Sequence, residues 1–151
     1  MTVRAVATLA CISLALPLAA AALERPETKD PAQNYLLFCA GCHTPQGTGA
    51  AHRVPALNET LPQFLKLAGG RVYLLHVPGV ANSQLSDEAM AAVMNWCTQR
   101  FAPEQVSQGW QPFTTAEIAA ARRAPLLSVK SMRRSLMELT SLPPPPAGAD
   151  Y

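Results

Sequence analysis

Residues 38–49 read Phe38-Cys39-Ala40-Gly41-Cys42-His43-Thr44-Pro45-Gln46-Gly47-Thr48-Gly49, and the five residues Cys39 to His43, C-x-x-C-H, decide what the rest of the chain folds around. Two thiols three positions apart on one helical turn can each add to a vinyl group of a haem. The adjacent imidazole then reaches the iron from the same face, which is the spacing of c-type haem attachment. Three other readings compete. A redox C-x-x-C belongs to a strand-helix context, and no strand-rich stretch precedes Cys39. A zinc site needs further Cys or His at paired spacing, whereas His52, His76 and Cys97 are scattered. A disulfide across two residues is strained. The residues favour one covalently attached haem on Cys39 and Cys42, with His43 as the proximal iron ligand.

Upstream, Met1 to Arg4 is a short basic start, Ala5 to Leu18 is apolar, and Ala19 to Ala22 offers a small-residue cleavage site. This is the three-part pattern of a secretory signal over residues 1–22, with residues 23–30 as a linker. The apolar run is short for a spanning helix, and no stop-transfer charges follow it. Cys11 lies inside that run, with Thr8 where a lipobox prefers Leu, and is expected to leave with the signal. The mature chain is then periplasmic or otherwise exported, in an oxidising compartment where c-type haems are assembled.

Downstream, Pro31 to Cys42 predicts a short helix with Pro31 in a tolerated first-turn position. Residues 44–58 carry Pro45, Gly47, Gly49 and Pro55 and read as a loop. Thr60 to Ala68 predicts a helix stopped by Gly69-Gly70, followed by a short apolar piece, Arg71 to Val77, and a turn over 78–84. Leu85 to Phe101 is the clearest helix: Ser86 can cap it, Asp87 and Glu88 suit its first turn, and Ala89, Val93, Trp96 and Cys97 form one stripe. After Pro103 the composition changes. Residues 105–112 read as a loop, Thr114 and Glu117 have the spacing of a capping box, and that helix runs to Arg123. Val129, Met132, Leu136 and Leu139 predict an amphipathic helix, and residues 143–151 a Pro-rich disordered end.

The chain has 151 residues, with 12 Lys and Arg against 10 Asp and Glu, a net charge of +2 that falls to +1 when Arg4 leaves with the signal. So small an excess argues against a nucleic-acid binder. The 14 prolines argue against an unbroken helical bundle.

The stretch Phe38 to Gly49 resembles the attachment segment and following glycine loop of the small class I cytochromes c. Pro55-Ala56-Leu57 sits where that family keeps a Pro whose carbonyl takes a hydrogen bond from the proximal His, a bond that would fix the orientation of His43. Leu85-Ser86-Asp87-Glu88 is similar to the start of the family's last helix, and Tyr35 and Val93/Trp96 sit where its first and last helices cross. The resemblance covers about 31–101. It implies an all-α, cytochrome c-like fold of three to four short helices around one covalent haem c, a haem domain over 31–103, and a helical tail extension over 104–142 outside the common pattern. The family usually supplies Met as the sixth ligand before its last helix. Here the segment reads Leu75-His76-Val77-Pro78-Gly79, with no Met between the haem motif and Met90. His76 is the candidate distal iron ligand by position; Met90 and Met94 are expected in the core, and His52 on the surface. An open sixth site is the remaining alternative.

The function implied is an exported monohaem cytochrome, not an enzyme, carrying single electrons between a periplasmic dehydrogenase and a downstream cytochrome or oxidase. The alternatives are a peroxidase-like haem enzyme and a gas-binding or sensing haem protein, both needing an open or labile sixth site. Trp96 is expected to be core, and Cys97 a buried inert thiol. Residues 114–142 carry five basic and two acidic residues, and Lys130, Arg133 and Arg134 fall on one side of the last helix. That face is expected either to be solvated, with the apolar stripe packing back on the haem domain, or to dock an acidic partner or an anionic membrane.

Overall fold

The computed structural model describes residues 27–51, 53–124, 126–140 and 142. The expected signal, residues 1–22, the Pro-rich end, residues 143–151, and His52 lie outside the described residues. The fold is all-α, as expected: among the described residues there are nine helices and no strand, only an isolated bridge between Ala50 and Val54. No helix among them is long and apolar enough to cross a membrane.

The first helix, α1 (Pro31–Phe38), starts where Asp30 accepts from the Ala32 N–H and Pro31 fills the first turn. It ends at Cys39, whose backbone leaves helical geometry at φ −121°. Cys42 and His43 therefore occupy their own turn, α2 (Ala40–His43), with Cys39 just before it, rather than the end of one helix. The loop to Ala56 leads into α3 (Leu57–Leu65), α4 (Gly70–His76) and the single turn α5 (Pro78–Ala81), so helix begins earlier than Thr60 and continues where a turn was expected. Val77, extended before Pro78, separates α4 from α5, as the residue before a proline must.

The longest helix is α6 (Asp87–Phe101), capped by the Ser86 side chain on the Ala89 N–H. It crosses α1 where Tyr35, fully buried, meets Trp96 at a ring-centroid separation of 5.0 Å. Phe101 closes the aromatic cluster, edge-on to Trp96 at 5.8 Å. Met90 and Met94 are buried along the same helix. Upstream, the Glu27 carboxylate accepts from both the N–H and the hydroxyl of Ser86, tying the residues before α1 to the start of α6.

Three further helices follow: α7 (Pro103–Ser107), where a loop was expected, α8 (Thr115–Arg123) and α9 (Val129–Met137). The capping box forms, Thr114 and Glu117 exchanging side-chain bonds with each other's N–H groups. Helix α8 lies on α4, α5 and α6, and α9 lies on α4. Phe113, Ile118, Ala121 and Leu136 are buried there. Helix α9 stops at Met137, so Leu139 falls off its apolar face and is 68% exposed.

The basic side expected on α9 is also corrected. Arg133 is buried, with Nη1 3.1 Å from the Tyr73 hydroxyl and its guanidinium 5.7 Å from the Phe64 ring centre. The reason is helical geometry. Position 133 shares its face with Val129 and Leu136, so its long side chain is laid into the apolar contact with α3 and α4.

Candidate functional site

Cys39, Cys42 and His43 stand together on α2 and the residue before it. The backbone turn closes through the N–H groups of Cys42 and His43, which both donate to Cys39 O, at 3.1 and 3.0 Å. Neither thiol is in a disulfide; Cys42 is exposed and Cys39 half-buried. Burial pushes the Cys39 thiol up to about 11, with the neighbouring Cys42 adding to the shift. The two thiols thus stand three residues apart on one turn, one of them open to solvent.

His43 is fixed from the opposite side of the loop. Its Nδ1 lies 3.2 Å from Pro55 O. A carbonyl can only accept, so Nδ1 carries the proton and Nε2 keeps its lone pair. No hydrogen bond to Nε2 occurs among the described residues. Burial lowers the pKa of His43, partly offset by the bond to Pro55, which favours the neutral ring. A neutral imidazole with a bare Nε2 and an anchored Nδ1 is the state that binds a metal.

The loop brings Pro55 to His43 by a close turn that only glycine permits. Gly47 (φ +72°) lies against the face of Phe101, and a Cβ there would sit 2.7 Å from that ring. Gly49 (φ +64°) lies against the carbonyls of Val54 and Pro55, which leave no room for a methyl group. The Gly49 N–H donates to His43 O at 3.0 Å and the Leu57 N–H to Gly47 O at 2.6 Å, which zips the loop shut. Thr44, next to His43, has φ +62° and ψ 159°, a region that side chains avoid. Its carbonyl accepts from the Tyr35 hydroxyl at 2.6 Å, so the crossing of α1 and α6 grips the attachment turn directly. The proximity of Thr44 and Tyr35 had no signal in the sequence beyond the helix crossing itself.

The other candidate, His76, does not face α2 with a free nitrogen. It ends α4 half-buried, its Nδ1 2.6 Å from Val72 O and its Nε2 3.1 Å from Ala124 O at the end of α8. Cys97 is buried in α6, and burial raises its thiol, with Cys39 contributing. Among the described residues, no three His, Cys, Asp or Glu side chains gather into a metal site.

The chain's C-terminal part reaches this region through two arginines that the sequence did not single out. Arg71 of α4 donates from Nε and Nη2 to the Glu117 carboxylate at 2.7 and 2.9 Å, from Nη1 to Gln111 O and from Nη2 to Pro112 O, and stacks 4.1 Å over the Phe113 ring. Arg122 of α8 pairs with Asp87 in the first turn of α6 at 2.6 Å. A pair of bonds between Asn95 and the Phe113 backbone completes the attachment.

No family model matches the chain. Two curated proteins resemble it, both named cytochrome c-552 and both from Thermus thermophilus. One is 32% identical over 102 residues, covering 56% of this chain and 78% of the relative. The other, from a particular strain of that species, is also 32% identical over 102 residues, covering 56% of this chain and 69% of the relative.

Proposed function

The chain belongs to the class I c-type cytochromes, and from that premise we propose that Cys39 and Cys42 anchor its haem c and that His43 is the proximal iron ligand. The protein is an electron-transfer protein that works with redox protein partners. The single observation that carries the assignment is His43, with Nδ1 bonded to Pro55 O and Nε2 left bare, on the same turn as two unpaired thiols. When bound, the haem supplies one reversible electron at the iron. The chain's part is to hold it. The Pro55 carbonyl orients the imidazole, burial favours its neutral form, and the aromatic cluster of Tyr35, Trp96 and Phe101 stiffens the turn from behind.

The finer reading is an exported carrier working between a periplasmic dehydrogenase and a downstream cytochrome or oxidase, with the haem domain over 31–103. His76, the distal ligand suggested by position, can serve only if its imidazole leaves the carbonyls of Val72 and Ala124. These contacts, of which a neutral imidazole can donate to only one, turn the ring toward carbonyls and favour a second reading, an iron whose distal side admits small molecules such as carbon monoxide.

Two measurements test the proposal. Mature protein should keep its haem through denaturing electrophoresis and acid-acetone extraction, and the Cys39→Ser/Cys42→Ser variant should lose it; covalent haem in that variant would refute the assignment. A His76→Ala variant compared by ferric spectrum and ferrous carbon monoxide uptake decides the distal side. A switch from low to high spin identifies His76 as ligand, and rapid uptake already in the wild type identifies the open site.

A further inference from the structure

The segment between α4 and α6 is gripped at both ends by the C-terminal end of α8. At the near end, Ala124 O faces His76 Nε2 at 3.1 Å. At the far end the Arg122 guanidinium spans the segment. Its Nη1 donates to Asp87 Oδ1 at 2.6 Å, and its Nη2 to Ser83 O at 3.2 Å and, more weakly, toward Val80 O at 3.5 Å. Its Nε is buried without a partner among the described residues, so this guanidinium is drawn out of water to reach those carbonyls. From Val77 to Ser83 the backbone N–H groups make only short-range bonds, those of Val80 and Ala81 donating to Val77 O, that of Asn82 to Pro78 O and that of Ser83 to Val80 O, while Ser86 at the end of the segment is held separately by the Glu27 carboxylate. One isolated turn with a proline at its start has little stability of its own.

We propose that Arg122 is a positioning residue for the segment 77–86, setting through Val80, Ser83 and Asp87 the conformation of the chain on the distal side of the iron. The inference rests on the haem reading above and on the family resemblance, by which that stretch would line the side of the haem away from His43. The chemistry requires arginine. A planar fork can donate to a carboxylate and to backbone carbonyls at once, whereas a lysine ammonium at the same place can keep the Asp87 pair but not the fixed geometry of the other bonds. The C-terminal helices then act on the iron without touching it: they hold the segment closed, with His76 turned toward Ala124, and so govern what reaches the sixth position.

The test uses haem-loaded, full-length protein, in wild type, Arg122→Gln and Arg122→Lys forms. Amide hydrogen exchange is followed at residues 80–83 and, as a reference, at Cys39 and Ala102, whose N–H groups belong to the α1 and α6 ends. In Arg122→Gln, exchange at 80–83 should rise about tenfold or more, while the reference amides stay within about twofold. The rate of carbon monoxide binding to the ferrous protein should change at least about threefold in the same variant, and Arg122→Lys should fall between it and wild type. Unchanged exchange at 80–83, an equal rise everywhere, or an unchanged carbon monoxide rate would each overturn the proposal. Absence of covalent haem from the wild type would instead sink the haem reading, and the exchange result would still decide whether Arg122 holds the segment.

Discussion

Between Thr44 and Leu57 the backbone is fixed by bonds of short reach, the longest being the twelve residues from His43 to Pro55. The segment from His76 to Asp87 is held differently, by residues 35 to 48 positions further along the chain and, at Ser86, by Glu27 from before α1. The first region carries most of its own instructions, two glycines, a proline and a strained threonine, with outside contacts to the Tyr35 hydroxyl and the Phe101 ring. The second region is shaped by a helix that must fold and dock before the segment has a defined form. On the reading proposed above, this division separates the part that would hold the haem from the part that would shape its distal side.

The largest effect that would sharpen this comparison is expected from Gly49→Ala. The methyl group would stand against the carbonyls of Val54 and Pro55 in a left-handed backbone, and relieving it moves the acceptor away from His43 Nδ1. A loss of about 2–4 kcal/mol is expected, lowering Tm by about 10 °C or more. Because the loop is largely self-contained, hydrogen exchange at residues 80–83 should not change. Faster exchange there would show that the two regions are coupled.

Most of the attachment region was legible because its signals are local. The C-x-x-C-H spacing, the glycines, Pro55, the Ser86 cap and the Thr114/Glu117 box each act within a dozen residues, and the structure forms the loop and both caps from them. The crossing at Tyr35 and Trp96 was legible through the family resemblance. Arg71, Arg122 and the partners of His76 were not. A side chain that bonds a backbone carbonyl forty residues away leaves no periodicity behind it. Arg133 was legible in principle, since it shares the face of Val129 and Leu136, but its charge masked that position.

The docked region should show an acid response of its own, separate from that of His43 in the attachment turn. The Arg71 guanidinium holds Glu117 down at about 2 against the opposing effect of burial, and the Thr114 bonds add to the lowering. A carboxyl whose folded pKa is depressed stabilises the fold above its unfolded value and loses that contribution as pH falls toward the folded one. The window therefore runs from about 4.5 down to about 2. Glu117 is 35% exposed, so solvent screening limits the stabilisation to about 1 kcal/mol. Glu117→Gln should be less stable than wild type by about that amount at pH 7, and the gap should close through this window in thermal melts. A gap that persists at pH 2 would mean that the amide disturbs packing rather than charge. Comparing the two proteins at each pH cancels the acid response of His43, which is common to both.

The smallest effect concerns strain inside the attachment turn. Thr44 sits at φ +62° and ψ 159°, which costs about 1–3 kcal/mol for a residue with a side chain. Its hydroxyl offsets part of this, accepting from the Thr48 N–H at 3.1 Å and lying 2.9 Å from the Thr48 hydroxyl. Thr44→Ala and Thr44→Gly lose the same two contacts, and only glycine also loses the strain. Glycine in turn adds freedom to the unfolded chain, worth about 0.5–1 kcal/mol in the opposite sense. The glycine variant should therefore exceed the alanine variant in stability by about 1 kcal/mol, or a few degrees in Tm, and lie close to wild type. The bond from Tyr35 to the Thr44 carbonyl is made by backbone and should survive in both. An alanine variant equal to or more stable than the glycine variant would show that the turn next to His43 stores no strain, and the self-contained loop would then rest on its glycines and Pro55 alone.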